Sequence, residues 1–266
     1  MKVRNKVIVV TGGGNGMGRE MVLALLARGA RVAAVDISEK ALQETANMAG
    51  AGKGRLSTHV VNITELSAVQ ALPQAVIDHH GAVDGVINNA GIIQPFVCLK
   101  DLEYEAIHRV MDVNFYGTLY MTKTFLPYLL DRPEGHIMNI SSMGGFLPVP
   151  GQTLYGASKA AVKLMTEGLF TETQNTQVHV TIVFPGAIGT NITSNSGVST
   201  SVDAENSSFK MLAPNKAAQI MLDAMEKNRF RVTVGPDAGF MDFLVRLNPK
   251  GAAKFIFKQM KSLLTC

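Results

Sequence analysis

Val7-Ile8-Val9-Val10-Thr11-Gly12-Gly13-Gly14-Asn15-Gly16-Met17-Gly18 sets a short apolar, β-branched run directly against a string of glycines. A run of this length and type reads as a buried strand. The glycines let the backbone turn tightly and let a pyrophosphate reach amide donors at the start of the next helix, an approach that a β-carbon would block. Gly12, Gly16 and Gly18 follow a G-x-x-x-G-x-G spacing, which departs from the general G-x-G-x-x-G fingerprint because Met17 stands where its last glycine would fall,. A glycine-rich turn without a ligand has the same appearance, so the rest of the chain must decide.

Working outward, similar apolar runs recur at Val32–Val35, Leu56–Val61, Val83–Ile87, His136–Ile140, Val178–Val183 and Arg231–Val234. Helix-period segments lie between them, near Gly16–Arg28, Glu39–Met48, Glu65–His79, Glu105–Leu130, Tyr155–Thr173 and Pro214–Asn228,. Strands that are apolar throughout and separated by helices imply a parallel sheet covered on both faces. Right-handed crossovers then give an α/β fold, a doubly wound Rossmann-type sheet of seven strands,. We expect one domain over residues 1–266, with a polar substrate flap at 190–212 and a C-terminal extension at 240–266 carrying an amphipathic helix,.

Asp36 closes the second expected strand, about 20 residues beyond the glycines, where a carboxylate can accept from adenosine ribose hydroxyls,. The same charge repels a 2′-phosphate. Neither Asn15 nor Ile37 is basic, although Lys40 lies in the following turn, so NAD is expected over NADP. Asn88-Asn89-Ala90-Gly91 ends the fourth strand, again at a carboxyl end, with small residues that leave room for a ligand,.

Tyr155 and Lys159 are four apart on an expected helix and so share one face,. A phenol of ordinary pKa ~10 is a poor base at neutral pH, but a nearby ammonium lowers that value toward the working range of an acid/base catalyst. An oxidised nicotinamide would add a second positive charge. An isolated pair at this spacing is common on helix surfaces, and its context carries the weight.

Taken together, Thr11–Gly18, Asp36, Asn88–Gly91, Asn114, Ser142, Tyr155, Lys159 and Pro185-Gly186, in this order, resemble the short-chain dehydrogenase/reductase family in its compact branch, over roughly residues 5–235. The resemblance implies a hydride-transferring oxidoreductase acting on CH-OH groups. It implies that Ser142 hydrogen-bonds the substrate oxygen, Tyr155 exchanges its proton, Lys159 holds the nicotinamide ribose, and Asn114 positions a water that relays protons. Gly12, Asn15, Gly16, Met17, Gly18, Asp36, Asn89, Ala90 and Gly91 would hold the dinucleotide, together with Tyr155 and Lys159. Pro185, Gly186, Ile188 and Thr190 would border the nicotinamide carboxamide. Asn62 stands where the family often carries Asp, and its amide oxygen could still meet the adenine amino group. Relatives usually form dimers or tetramers, so a homodimer or homotetramer is expected. An epimerase or dehydratase that regenerates its cofactor, or a non-enzymatic NAD sensor, is the rival reading. Longer relatives of the first kind carry an added substrate domain, and a sensor would not need Ser142, Tyr155, Lys159 and Asn114 together.

Composition narrows the rest. With 47% hydrophobic and 17% charged residues in 266, the chain can bury a sizeable core, and a formal charge of +4 is too small to imply nucleic acid,. Cys98 and Cys266 are too few to staple the fold, no signal-peptide core or membrane span is legible, and a cytoplasmic setting is expected,. The histidines show no metal-ligand spacing, so no metal is expected,. Met143, Phe146, Leu147, Pro148 and Val149, with Ile92, Ile93 and Phe96, favour a lipophilic alcohol or ketone as substrate, and no Arg stands among them to clamp a carboxylate,. The tail holds Arg246, Lys250, Lys254, Lys258 and Lys261 among apolar residues. Over 243–261 it reads as a basic amphipathic segment that packs on its own domain or a second subunit, the favoured reading, or lies on a membrane surface.

Overall fold

The structure is a computed structural model that describes residues 1–50, 54–198 and 211–261. All seven expected strands are present: β1 (Val7–Thr11), β2 (Arg31–Asp36), β3 (Leu56–Val60), β4 (Gly85–Asn88), β5 (Gly135–Ile140), β6 (Val178–Pro185) and β7 (Arg231–Val234). They form one sheet in the order β3-β2-β1-β4-β5-β6-β7, with every pairing parallel. The chain winds outward from β1 in one direction, then restarts from β4 in the other. The carboxyl ends of β1 and β4 therefore splay their loops apart into a crevice, the switch point at which open α/β sheets hold ligands.

Alternation along β1 shows how the layers form. Val7 and Val9 join one apolar cluster while Ile8 and Val10 join another, because successive side chains leave a strand on opposite faces,. On the first face, Met21 and Leu25 of α1 (Gly16–Ala27) meet Met221 and Leu222 of the helix Pro214–Glu226. On the other, Val69, Leu72 and Val76 of α3 (Leu66–His80) pack near Met121, Phe125 and Leu129 of α5 (Thr118–Leu130). The helix α2 (Glu39–Ala49) follows β2, capped by Ser38, whose hydroxyl accepts from Ala41 N at 3.2 Å.

Two regions depart from expectation. The segment read as one helix over Glu105–Leu130 is α4 (Tyr104–Met111), a wider π turn at Asp112–Gly117, and then α5. π turns of this kind arise where an extra residue is accommodated in a helix and are frequent at functional sites. The tail is helical but in two pieces. The helices bear the labels α9 (Pro236–Leu247) and α10 (Pro249–Met260), following α6 (Thr153–Glu172), α7 (Ile192–Asn195) and α8 (Pro214–Glu226). Pro249 cannot continue α9 because it lacks an N–H, and Asn248 starts α10 by accepting from Gly251 N at 2.8 Å,.

Residues 199–210 of the expected flap and Cys266 lie outside the described residues. On the flap's described flanks are α7 and a bridge that pairs Ile188 with Leu212. Among the described residues, no helix is long and apolar enough to cross a membrane.

Candidate active site

The residues singled out from the sequence lie at or just beyond the carboxyl ends of β1 to β6, or on the helix α6 and the π turn above that edge. The glycine turn after β1 is shaped by Gly12, whose φ of +67° is a left-handed value that few other residues adopt,. A β-carbon there would stand 2.9 Å from Asn89 Nδ2 and 3.1 Å from Ala90 Cα, so the two turns of the crevice touch only because Gly12 has none. Asn15 caps α1 by accepting from Gly16 N at 2.7 Å, and Gly16, Met17 and Gly18 form its first turn. Thr11 holds the opposite turn: its hydroxyl accepts from Asn89 N at 3.0 Å and Ala90 N at 3.1 Å, while Asn89 Nδ2 donates to Thr11 O.

Asp36 sits at the end of β2 beside this turn. One carboxylate oxygen accepts from Gly14 N and the other from Ser38 N, each at 3.0 Å. A carboxylate has about four lone-pair sites, so capacity remains for two ribose hydroxyls. Because Ser38 caps α2, Asp36 is not needed for that task. Asn62 is less available. Its oxygen accepts from both Thr64 N and Thr64 Oγ1, and its amide donates to Glu65, an arrangement that shapes the turn into α3.

Over the other half of the edge stand Ser142, Tyr155 and Lys159. Ser142 follows β5 and its hydroxyl accepts from Gly144 N at 3.0 Å. Gly144 lies against both Ser142 Oγ and the Tyr155 ring, with its would-be β-carbon 3.5 Å from the first and 3.3 Å from the second. Lys159, one turn of α6 beyond Tyr155, is buried and donates from Nζ to Ile140 O at 3.0 Å. A β-carbon on Gly91 would lie 3.1 Å from Lys159 Nζ and 3.2 Å from Asn114 Oδ1, so the fourth strand's turn, the lysine and the π turn converge at one point.

The sequence anticipates a tyrosine made more acidic by its lysine. In the structure burial is the larger influence and pushes the Tyr155 phenol up, while the Ser142 hydroxyl beside it pulls in the opposite direction. Burial also lowers Lys159, to about 8. Desolvation disfavours each charged form, phenolate and ammonium alike.

Asn114 is buried in the π turn. Its Oδ1 accepts from Ile92 N and its Nδ2 donates to Ile92 O, both at 2.9 Å, and Nδ2 also reaches Ser158 Oγ at 3.0 Å. The amide thus clamps the loop after β4 with both donor hydrogens used and one acceptor site on Oδ1 left over, and the Asn114 backbone carbonyl accepts from Thr118 Oγ1,. Pro185 ends β6; the Gly186 turn that follows is held from the tail, where Asp237 of α9 accepts from Ala187 N at 2.7 Å. Thr190 N donates to Ile188 O in the next turn.

Three residues escaped the sequence reading. Gln94 is buried, and its Oε1 accepts from Leu154 N at 2.8 Å and Tyr155 N at 3.0 Å, capping the free end of α6 just where the tyrosine sits. Its amide donates to Gly151 O. Arg19 pins the glycine turn through Gly14 O at 2.9 Å and reaches Glu44 of α2 at 2.8 Å. Asp237 is the third. A glutamine in an apolar loop, an arginine on a helix and an acid in a tail each resemble ordinary surface residues, and no local signal marks them. Of the expected apolar lining, Leu147 is buried against Met241, Ala252 and Ile256 of the tail, and Phe146 packs on Phe184, with ring centroids 5.4 Å apart. Leu147 is a core residue, whereas Phe146, Ile92, Met143 and Val149 remain partly accessible.

A doubly wound parallel sheet with a glycine turn at its switch point and a Ser–Tyr–Lys group on its carboxyl edge defines a Rossmann-type oxidoreductase. The family model described as short chain dehydrogenase matches residues 6–199, and the chain belongs to the short-chain dehydrogenase/reductase family. It is 36% identical over 250 residues to SadH of Mycobacterium tuberculosis, covering 91% of this chain and 90% of that protein. It is 32% identical over 239 residues to dehydrogenase/reductase SDR family member 7B of Mus musculus, covering 85% and 72%. Among solved structures, a short chain dehydrogenase/reductase from Burkholderia phymatum in complex with NAD superposes with a TM-score of 0.83 at 25% identity, covering 93% of this chain and 96% of that one. A short chain dehydrogenase from Burkholderia cenocepacia in complex with NADP gives 0.81 at 29% identity, covering 96% and 99%.

Proposed function

We propose that this protein is an NAD-dependent oxidoreductase that interconverts a lipophilic secondary alcohol and its ketone, with Tyr155 as general acid/base. The observation that carries the reading is that Ser142 and Tyr155 meet at Gly144 while Lys159, one turn of α6 further on, stands beside the Gly91 turn on the carboxyl edge of the sheet. The solved relatives in complex with NAD and NADP support a nicotinamide dinucleotide here. The residues present fit that group: Gly12 keeps side chains out of the crevice, the start of α1 offers amide donors, and Asp36 has spare acceptor capacity,. The carboxylate of Asp36 favours NAD, because a 2′-phosphate would meet its charge. When bound, the dinucleotide supplies the hydride acceptor or donor.

The chain's own residues handle the proton. Ser142 Oγ already accepts from Gly144 N and can donate to a substrate oxygen, holding it beside the phenol. In reduction, Tyr155, kept protonated by burial, gives its proton to the ketone oxygen as the new alcohol forms. In oxidation the phenol must first lose its proton, and Lys159, lowered to about 8, lies in the range where it can pass one on near neutral pH,. Gln94 and Asn114 hold α6 and the loop after β4 in place, which restrains the frame that carries the reacting groups,. The partly accessible Ile92, Met143 and Val149 favour an apolar substrate body,.

The test is Tyr155→Phe, assayed on a panel of secondary alcohols by NADH absorbance. Dinucleotide binding is expected to persist while turnover falls by ~10²–10⁴-fold. Undiminished turnover in that variant rejects the assignment.

A further inference from the structure

The tail folds into a helical hairpin with two unlike faces. Inward, Ala238 and Met241 of α9 and Ala252 and Ile256 of α10 are buried, the last three in a cluster with Leu147. Outward, Phe240, Phe243 and Leu247 are 57%, 63% and 68% exposed, at a spacing that aligns them on one side of α9,. Phe240 meets Phe255 of α10 edge-on, with centroids 6.5 Å apart, so the apolar stripe continues onto the second helix.

On α10, a 100° step per residue sets Lys250, Lys254, Lys258 and Lys261 along the exposed arc, with Phe255 on one flank and Phe257 on the other,. No acid occurs from Phe243 to Lys261. The two acids of α9 are engaged, Asp237 by Ala187 N and Asp242 by Arg231 and Arg246. None of the four lysines has an ion-pair partner among the described residues.

We propose that this hairpin docks on an anionic phospholipid surface, with its phenylalanines at the boundary between headgroups and acyl chains and its lysines on the headgroup phosphates. Exposed phenylalanines bordering a row of unpaired lysines are the arrangement of an interfacial helix, and the α10 face is ~18 Å long,. Contact of this face with itself in a second copy would bring the lysine rows together, and like charges oppose that contact. A phospholipid boundary offers anionic and apolar groups side by side along the whole face. The inference stands apart from the catalytic reading, since none of the exposed residues belongs to the Ser142–Tyr155–Lys159 group.

The experiment is co-sedimentation of the full chain with vesicles of phosphatidylcholine alone and of phosphatidylcholine mixed with phosphatidylserine. The expected result is binding to the mixed vesicles that weakens as salt is raised, and far less binding to phosphatidylcholine alone. Two variants, Lys250→Glu/Lys254→Glu/Lys258→Glu and Phe243→Ser/Phe257→Ser, should each lower the partition coefficient by at least about tenfold. Both change only exposed side chains, and an unchanged thermal transition and far-UV dichroism spectrum verify that they fold,. Failure of the wild type to pellet with mixed vesicles at low salt overturns the proposal. So does binding that survives in both variants. An oligomer that dissociates in Phe243→Ser/Phe257→Ser, with no vesicle binding by the wild type, would instead assign the face to a second copy.

Discussion

Replacing Lys159 by Met should change the pH dependence of stability in a calculable way. Burial lowers the lysine from 10.5 to about 8, so carrying the charge costs the folded state free energy. Below about pH 8 the full cost is present. Between about pH 8 and 10.5 the unfolded chain holds a proton that the folded chain has released, so stability rises with pH,. Above 10.5 the cost is gone. The interval between the two values corresponds to about 3 kcal/mol,.

Urea unfolding of the wild type and of Lys159→Met, each near neutral pH and near pH 10.5, isolates this quantity. The variant also loses the hydrogen bond to Ile140 O, about 1 kcal/mol, but that loss does not depend on pH and cancels between conditions,. Tyr155, raised by burial, contributes stability that is lost at alkaline pH, and because both proteins contain it, its contribution largely cancels too. The variant's stability relative to wild type should therefore be about 3 kcal/mol better near neutrality than at pH 10.5. Turnover should be lost at both. A relative stability that is the same at both pH values refutes the reasoning, because the ammonium would then carry no burial cost.

Gln94→Ala strips the acceptor from Leu154 N and Tyr155 N and the donor from Gly151 O, which should cost about 2–4 kcal/mol in chemical denaturation,. Gln94→Glu keeps the acceptor and should recover part of both stability and kcat. Asp36→Ser removes the charge that faces a 2′-phosphate, and the ratio of kcat/KM for NADP over NAD should rise about tenfold or more in steady-state assays; an unchanged ratio denies Asp36 the discriminating role. Asp237→Ala leaves Ala187 N without its carboxylate, a loss of roughly 1.5–3 kcal/mol visible in the thermal transition, and should raise KM for the dinucleotide,.

The strands were legible because a sheet buried on both faces leaves little room for polar residues, and β1 and β4 are buried at every position,. The glycine turn and the Tyr155–Lys159 spacing were legible because turn geometry and helical periodicity act locally. What the sequence hid depends on distant partners. The π turn interrupts no inward-facing pattern, since Val110 before it, Asn114 within it and Thr118 after it are all buried. Gln94 gains its place only when the loop after β4 folds over the start of α6. The rise of the Tyr155 phenol is likewise invisible in a four-residue spacing, because it comes from surroundings supplied by other elements. The break in the tail is another matter: Asn248-Pro249 is an ordinary stop-and-restart signal whose weight was masked by the regular lysine spacing,.

Asn114 grips Ile92, and Gln94 grips the start of α6 two residues later. Between these anchors and Met111 the chain is held at further points, with Arg109 donating to Ser196 O and Leu102 and Val110 buried. Only its exposed positions, such as Leu99 and Tyr104, are free of that packing. Substitution there can alter what the protein presents to solvent while the anchors keep the proton-transfer groups where they are.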